Sequence, residues 1–166
     1  MSIHQEEAIV LRCISYSNTR QIATLFTKNQ GKISAIAKGI RKTKPSQQFP
    51  GPLEPLNHIF FVFYQKSSSS LVTLKEFELK DCFYGLRTSL RTLFNAFYLL
   101  EFVQESTMEH DPQPALFTLL QESLKAIAQK ALPEAIRFYF QIHALELLGI
   151  APEIYSCMSC GANISK

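Results

Sequence analysis

Apolar positions in the first eighty or so residues recur with a period of two, the spacing of a strand with one buried face. "EAIVLRCISYS" is rich in β-branched residues, with apolar side chains on both faces. "RQIATLFTKN" alternates, with Ile22, Thr24 and Phe26 on one face and Ala23, Leu25 and Thr27 on the other. "NQGK" follows as a hairpin signal, Gly31 supplying the positive φ of a tight turn. "KISAIAK" reads as a third strand. "PLNHIFFVFYQK" and "LVTLKEFEL" read as the fourth and fifth, joined by the polar run "SSSS". An open sheet of these strands leaves "IFFVF" wet on one side, so the pattern predicts a small closed barrel.

From about Leu86 the period lengthens to that of a helix. "LRTLFNAFYLLEFVQESTM" places Leu90, Leu93, Phe94, Phe97 and Leu100 or Glu101 at three-and-four spacing, predicting a helix with that stripe inward. "DPQPALFTLLQESLKAIAQK" predicts a second helix, opening at its prolines and ending on basic residues that suit the C-terminal dipole. "LPEAIRFYFQIHALELLG" predicts a third, with Pro133 in the first turn and Gly149 as the stop. No linker separates strands from helices, so the two are expected to pack on each other, with a boundary near Lys80 to Gly85. The fold class is α+β.

The 166 residues, 46% apolar, suffice for one domain with a substantial core or for two small ones. No apolar run is long enough to cross a bilayer, and the N-terminus lacks a signal-peptide pattern, so a cytoplasmic protein is expected. Charge is unevenly placed. Met1 to Pro50 holds eight Lys or Arg against Glu6 and Glu7, whereas the remainder holds nine basic and twelve acidic residues. Such asymmetry points to a polyanion or to a merely well-solvated basic surface. The densest cluster is "AKGIRKTKPSQQFPGP". On a barrel, basic side chains at the rim track phosphates while aromatics stack on bases. The candidates are Arg12, Arg20, Lys28, Lys32, Lys38, Arg41, Lys42 and Lys44, with Tyr16 and Phe49 as stacking rings. A protein-interaction adaptor with an acidic partner and an RNA-binding barrel stay open as alternatives.

Cys13 and Cys82 stand alone among apolar neighbours and read as small buried hydrophobes. Cys157-Met158-Ser159-Cys160-Gly161 has the spacing of one knuckle of a structural zinc site, but no Cys or His follows. A redox pair expects a βαβ context that is missing, and two idle thiols are a third reading. His143 fits a core or helix-surface role better than ligation. No phosphate-binding glycine loop or nucleophile elbow is present, and Glu109, His110 and Asp111 read as a polar turn at a helix end. A non-enzyme is expected.

The run "EEAIVLRCISYSNTRQIATLFTKNQGKISAIAKGIRK" resembles the start of the bacterial DNA repair protein RecO family. The matching features are Glu7, Ile9 to Leu11, Tyr16, Thr24 to Thr27, Gly31-Lys32 and the "AKG-R" segment Ala37 to Arg41. "PEAIRFYFQIHALELLGIAPEIYSCMSCG" is similar to the family's last core helix running into its first zinc knuckle. The resemblance implies an OB-fold nucleic-acid-binding domain over residues 1–80, a helical domain over 81–152 and a partial zinc-ribbon segment over 153–166. It implies binding of single- and double-stranded DNA and annealing of complementary strands. It also implies joint action with RecR to help RecA displace single-strand-binding protein. Carried over by residue, the DNA surface is Lys38, Arg41, Lys42 and Lys44, with Arg20 and Lys32 nearby. Arg137 and Leu147 match a site for the acidic, Phe-terminated tail of the single-strand-binding protein. The second cysteine pair of zinc-bearing members is missing, so Cys157 and Cys160 are expected to form half of a zinc site in a chain cut within the ribbon.

Overall fold

The structure, a computed structural model, describes residues 2–39, 51–65, 71–153 and 155–163. Five strands, β1 (Ser2–Ser17), β2 (Arg20–Thr27), β3 (Gly31–Lys38), β4 (His58–Gln65) and β5 (Leu71–Asp81), close into a barrel in the order β1-β2-β3-β5-β4. All pairings are antiparallel except β3 with β5, which runs from Ser34 opposite Leu71 to Ala37 opposite Leu74. The expected OB-like barrel is therefore present. A short 3-10 turn (Tyr84–Thr88) leads into α1 (Leu90–Ser106), α2 (Pro114–Ala128) and α3 (Pro133–Leu147).

β1 explains why its sequence looked apolar on both faces. Its first half pairs with β4 and its second half with β2, and the register shifts between Val10 and Arg12. Ala8 and Val10 join the barrel interior with Leu25, Ile33, Phe61, Phe63 and Leu74. Ile9 and Leu11 turn outward and join Phe26, Phe117, Leu120 and Phe140 in a second core between barrel and helices. Phe26 of β2 lies 6.1 Å from the Phe117 ring of α2. Over Ala8 to Leu11 both apolar faces are thus covered, which removes their wetting cost, whereas Ile14 beyond them is 48% exposed.

The helices start where expected. Pro114 and Pro133 occupy the first turns of α2 and α3, and the Ser89 hydroxyl accepts from the Thr92 N–H to cap α1. The stripe predicted for α1 is corrected. Its buried face is Ala96, Leu99, Leu100 and Val103, with Leu93 half-buried, whereas Leu90 and Phe94 are 70% and 67% exposed and Phe97 is 40% exposed. α1 is apolar nearly all round, so spacing alone could not choose the face. Contacts on neighbouring elements did: Arg91 Nε donates to Glu134 at 2.6 Å, and Phe102 meets Phe140 edge-on, which turns Leu90 and Phe94 away.

A second joint fixes the barrel on the helices. Gly31 has φ 71°, and a Cβ there would lie 2.2 Å from the Asp111 carbonyl oxygen. The Lys32 ammonium donates to the carbonyls of Gln104 at 2.5 Å and Thr107 at 2.6 Å, at the C-terminal end of α1. The His110 N–H returns a bond to the Lys32 carbonyl at 3.0 Å. Glu109 to Asp111 therefore form the expected polar turn, docked against the β2–β3 hairpin. Among the described residues, no helix is long and apolar enough to cross a membrane.

Candidate nucleic-acid interface

The outward face of β1, β2 and β3 carries three cross-strand rows. Arg20 is opposite Lys38, Ile22 is opposite both Ile14 and Ile36, and Thr24 is opposite Arg12 and Ser34. Their neighbours Ala23, Ala35 and Ala37 are buried inside the barrel, so the alternation leaves this set pointing out. Arg20 and Lys38 are exposed and sit side by side at one rim. The rim is tied together by Gly39 N–H donating to the Thr19 carbonyl at 2.7 Å. Tyr16 is 62% exposed next to the β1–β2 turn. The face can hold a phosphate at its cationic edge and lay bases on the isoleucine row and Tyr16.

The isoleucine row was missed from sequence. Ile14, Ile22 and Ile36 each looked like ordinary strand residues, and only cross-strand register brings them into line. The other candidate cations divide. Lys28 lies exposed in the β2–β3 turn, at the opposite end of β2 from Arg20. Lys32 is half-buried and held on α1 carbonyls, so its ammonium belongs to the joint and not to an open basic face, which departs from the sequence expectation. Arg12 is exposed and lines a cleft that Glu101 and Glu105 also line. Arg41, Lys42, Lys44 and the Phe49 ring lie outside the described residues.

Arg137 and Leu147 are not brought together. The Arg137 guanidinium lies over the Tyr98 ring at 5.3 Å and the Phe138 ring at 5.0 Å, on the side of α3 that meets α1. Leu147 lines a groove of about 750 Å³ between α2 and α3, with Leu119, Ile136 and Tyr139. Glu122 and Glu146 border that groove. His143 does sit on the helix surface, hydrogen-bonded to Glu146 at 2.9 Å.

Cys157 and Cys160 lie in a tight turn closed by Gly161 N–H donating to the Cys157 carbonyl at 2.8 Å. Ser156 pairs with Asn163, and Gly161 has φ 70°. Backbone amides of Cys160 and Ser159 point at the Cys157 sulfur and hold its thiol below the ordinary range. That donor geometry suits half of a tetrahedral thiolate site. Among the described residues, no group of three or more Cys, His, Asp or Glu completes it. Cys13 is half-buried, and burial pushes its thiol up to about 12, as a small core-facing residue requires. Cys82 is also half-buried.

Two family models divide the chain between them: "Recombination protein O N terminal" matches residues 1–83 and "Recombination protein O C terminal" matches residues 87–166. Proteins named DNA repair protein RecO are similar over nearly the whole chain. That of Salinibacter ruber is 38% identical over 92% of this chain and 58% of its own length. That of Alkaliphilus metalliredigens is 38% identical over 96% of this chain and 64% of its own. That of Bacillus subtilis is 34% identical over 93% of this chain and 59% of its own. The chain thus spans about three-fifths of the length of these relatives. With a barrel and three helices matching the two halves in order, the chain belongs to the RecO family of DNA repair proteins.

Proposed function

We propose that this chain is the DNA-binding part of a recombination-repair mediator that brings complementary strands together. The observation that carries the reading is the cationic pair Arg20 and Lys38 beside the Ile14–Ile22–Ile36 row. Two cations at one rim neutralise phosphates that otherwise repel, and an apolar sill accepts bases of any identity. Binding of this kind has little sequence preference. Single- and double-stranded DNA are both ligands, with single strands using the sill as well as the rim. Annealing follows from charge neutralisation and needs no covalent chemistry from the protein.

In this reading the protein works in the cytoplasm with RecR, helping RecA onto DNA coated by single-strand-binding protein. The acidic tail of that protein belongs on the Arg137 side of α3, because Glu122 and Glu146 repel it from the α2–α3 groove. Zinc, when bound, is held by Cys157 and Cys160 with further ligands from elsewhere, and its contribution is structural.

The test is a salt series of single-stranded DNA binding with Arg20→Ala and Lys38→Ala combined. Loss of two phosphate contacts lowers the slope of log K against log salt by about 1.4. An unchanged slope rejects the reading.

A further inference from the structure

The polar turn after α1 reaches the β1–β3 face. Glu109 is exposed, and its backbone bridges to Lys32 of β3. The Ser34 hydroxyl donates to the Glu109 carboxylate at 3.4 Å. Ser34 points outward and shares a cross-strand row with Thr24 and Arg12. That row therefore has a guanidinium at its β1 end and a carboxylate at its β3 end, two strand spacings or roughly 10 Å apart. Neither Arg12 nor Glu109 is in an ion pair among the described residues. Lys32, the bridge partner of Glu109, keeps its ammonium on the Gln104 and Thr107 carbonyls.

We infer that Glu109 bounds the course of a single strand on this face, keeping phosphates off the β3 side of the row and turning the strand toward Arg12. The inference rests on the DNA-binding reading above. Arg20 and Lys38 hold the first phosphate at the rim. Thr24 is four residues beyond Arg20 on β2, roughly 13 Å away. That exceeds the Debye length of about 10 Å at 0.1 M salt, so Glu109 leaves the rim contact undisturbed. The nucleotides that follow cross the isoleucine row and enter its field. Along β3 they meet a carboxylate, and along β1 a guanidinium. Repulsion on one side and attraction on the other select the β1 course. The strand then crosses the sheet obliquely, from Lys38 of β3 at the rim to Arg12 of β1. Glu109 acts by repulsion and without touching the strand, so it is a positioning residue.

The experiment titrates two oligothymidylates, of about 4 and about 16 nucleotides, the span of site sizes for such barrels. Both are bound at about 0.1 M salt by the wild-type chain, Glu109→Gln, Glu109→Asp, Arg12→Ala and Glu122→Gln. Glu109→Gln is expected to bind the long strand about two- to fivefold tighter, the range of one exposed charge pair, and the short strand as wild type does. Arg12→Ala weakens the long strand by a similar factor and spares the short one. Glu109→Asp keeps wild-type affinity for both. So does Glu122→Gln, which makes the same change in net charge in the α2–α3 groove. Long-strand affinity unchanged in Glu109→Gln, an equal gain for the short strand, or the same gain in Glu122→Gln overturns the boundary while the rim reading stands. Long-strand affinity unchanged in Arg12→Ala overturns the turn toward β1. If the wild-type chain binds neither strand, the DNA reading falls and the boundary with it.

Discussion

Lys32 of β3 and Gln104 of α1, distant in sequence, are joined directly: the ammonium donates to the Gln104 carbonyl at 2.5 Å. It also donates to Thr107, so one side chain satisfies two carbonyls at a helix C-terminus, where a cation is favoured. Lys32→Met removes both bonds and leaves the carbonyls without a charged donor. The expected loss of stability is about 2 kcal/mol, read from the urea midpoint. Single-stranded DNA affinity at fixed salt should stay close to wild type, because the ammonium is not on the open face.

Lys28 provides the matching contrast on the DNA side. It lies at the other end of β2 from Arg20. Lys28→Ala is expected to leave the salt slope of single-stranded DNA binding unchanged, whereas each of Arg20→Ala and Lys38→Ala lowers it by about 0.7. Equal slopes for all three variants would return the interface to the diffuse basic surface that composition alone suggests.

His58 makes stability depend on pH. It is buried at the barrel–helix joint, with Gln121 Nε2 3.3 and 3.4 Å from its ring nitrogens and the Phe117 ring edge-on. Burial lowers its pKa; the carboxylates of Glu7 and Asp81 oppose this, and Lys125 and Lys80 reinforce it. The unfolded chain then takes up a proton near pH 6.5 while the folded chain resists. The contribution of neutral His58 is complete above that pH and declines as pH falls below it. Urea midpoints measured from pH 7.5 down to pH 5.5 should fall more for wild type than for His58→Gln.

Thiol chemistry separates the cysteines. Cys157 is held in an easily ionised state by the amides of Cys160 and Ser159, while Cys13 is pushed up to about 12. Iodoacetamide at neutral pH should label Cys157 well before Cys13, as followed by peptide mass spectrometry. Labelling in the reverse order would contradict the amide geometry of the knuckle.

Arg137→Ala is expected to weaken an acidic, Phe-terminated peptide by about three- to tenfold, the range of a charge-assisted contact of 1 kcal/mol or slightly more. Leu147→Ala should have a smaller effect, since Leu147 faces the α2–α3 groove. Fluorescence anisotropy with the labelled peptide distinguishes the two.

The barrel was legible because its evidence is local and repeated: alternation in β2 and β3, the Gly31 turn, and an apolar run in β4 that demanded cover on both faces. Proline and glycine punctuation likewise marked α2 and α3. The α1 face was illegible because Leu90, Phe94 and Phe97 offer as good a stripe as Ala96, Leu99 and Val103. The choice was made by Arg91–Glu134 and Phe102–Phe140, which join segments far apart in sequence. The candidate site divided in the same way. Positive charge identified Arg20 and Lys38, but charge could not reveal that Lys32 is occupied by α1 carbonyls. Nor could it reveal the Ile14–Ile22–Ile36 row.

The parallel pairing of β3 with β5 has a kinetic consequence. The hairpins β1–β2 and β2–β3 form from neighbouring residues, but Ser2 must find Gln65, and Ser34 must find Leu71. Loop-closure entropy delays such contacts, so ring closure is expected to be the slow, late event in folding. During synthesis β1 emerges before β4, and until β4 arrives its second edge is unpaired, an interval in which the nascent chain is exposed to misassociation.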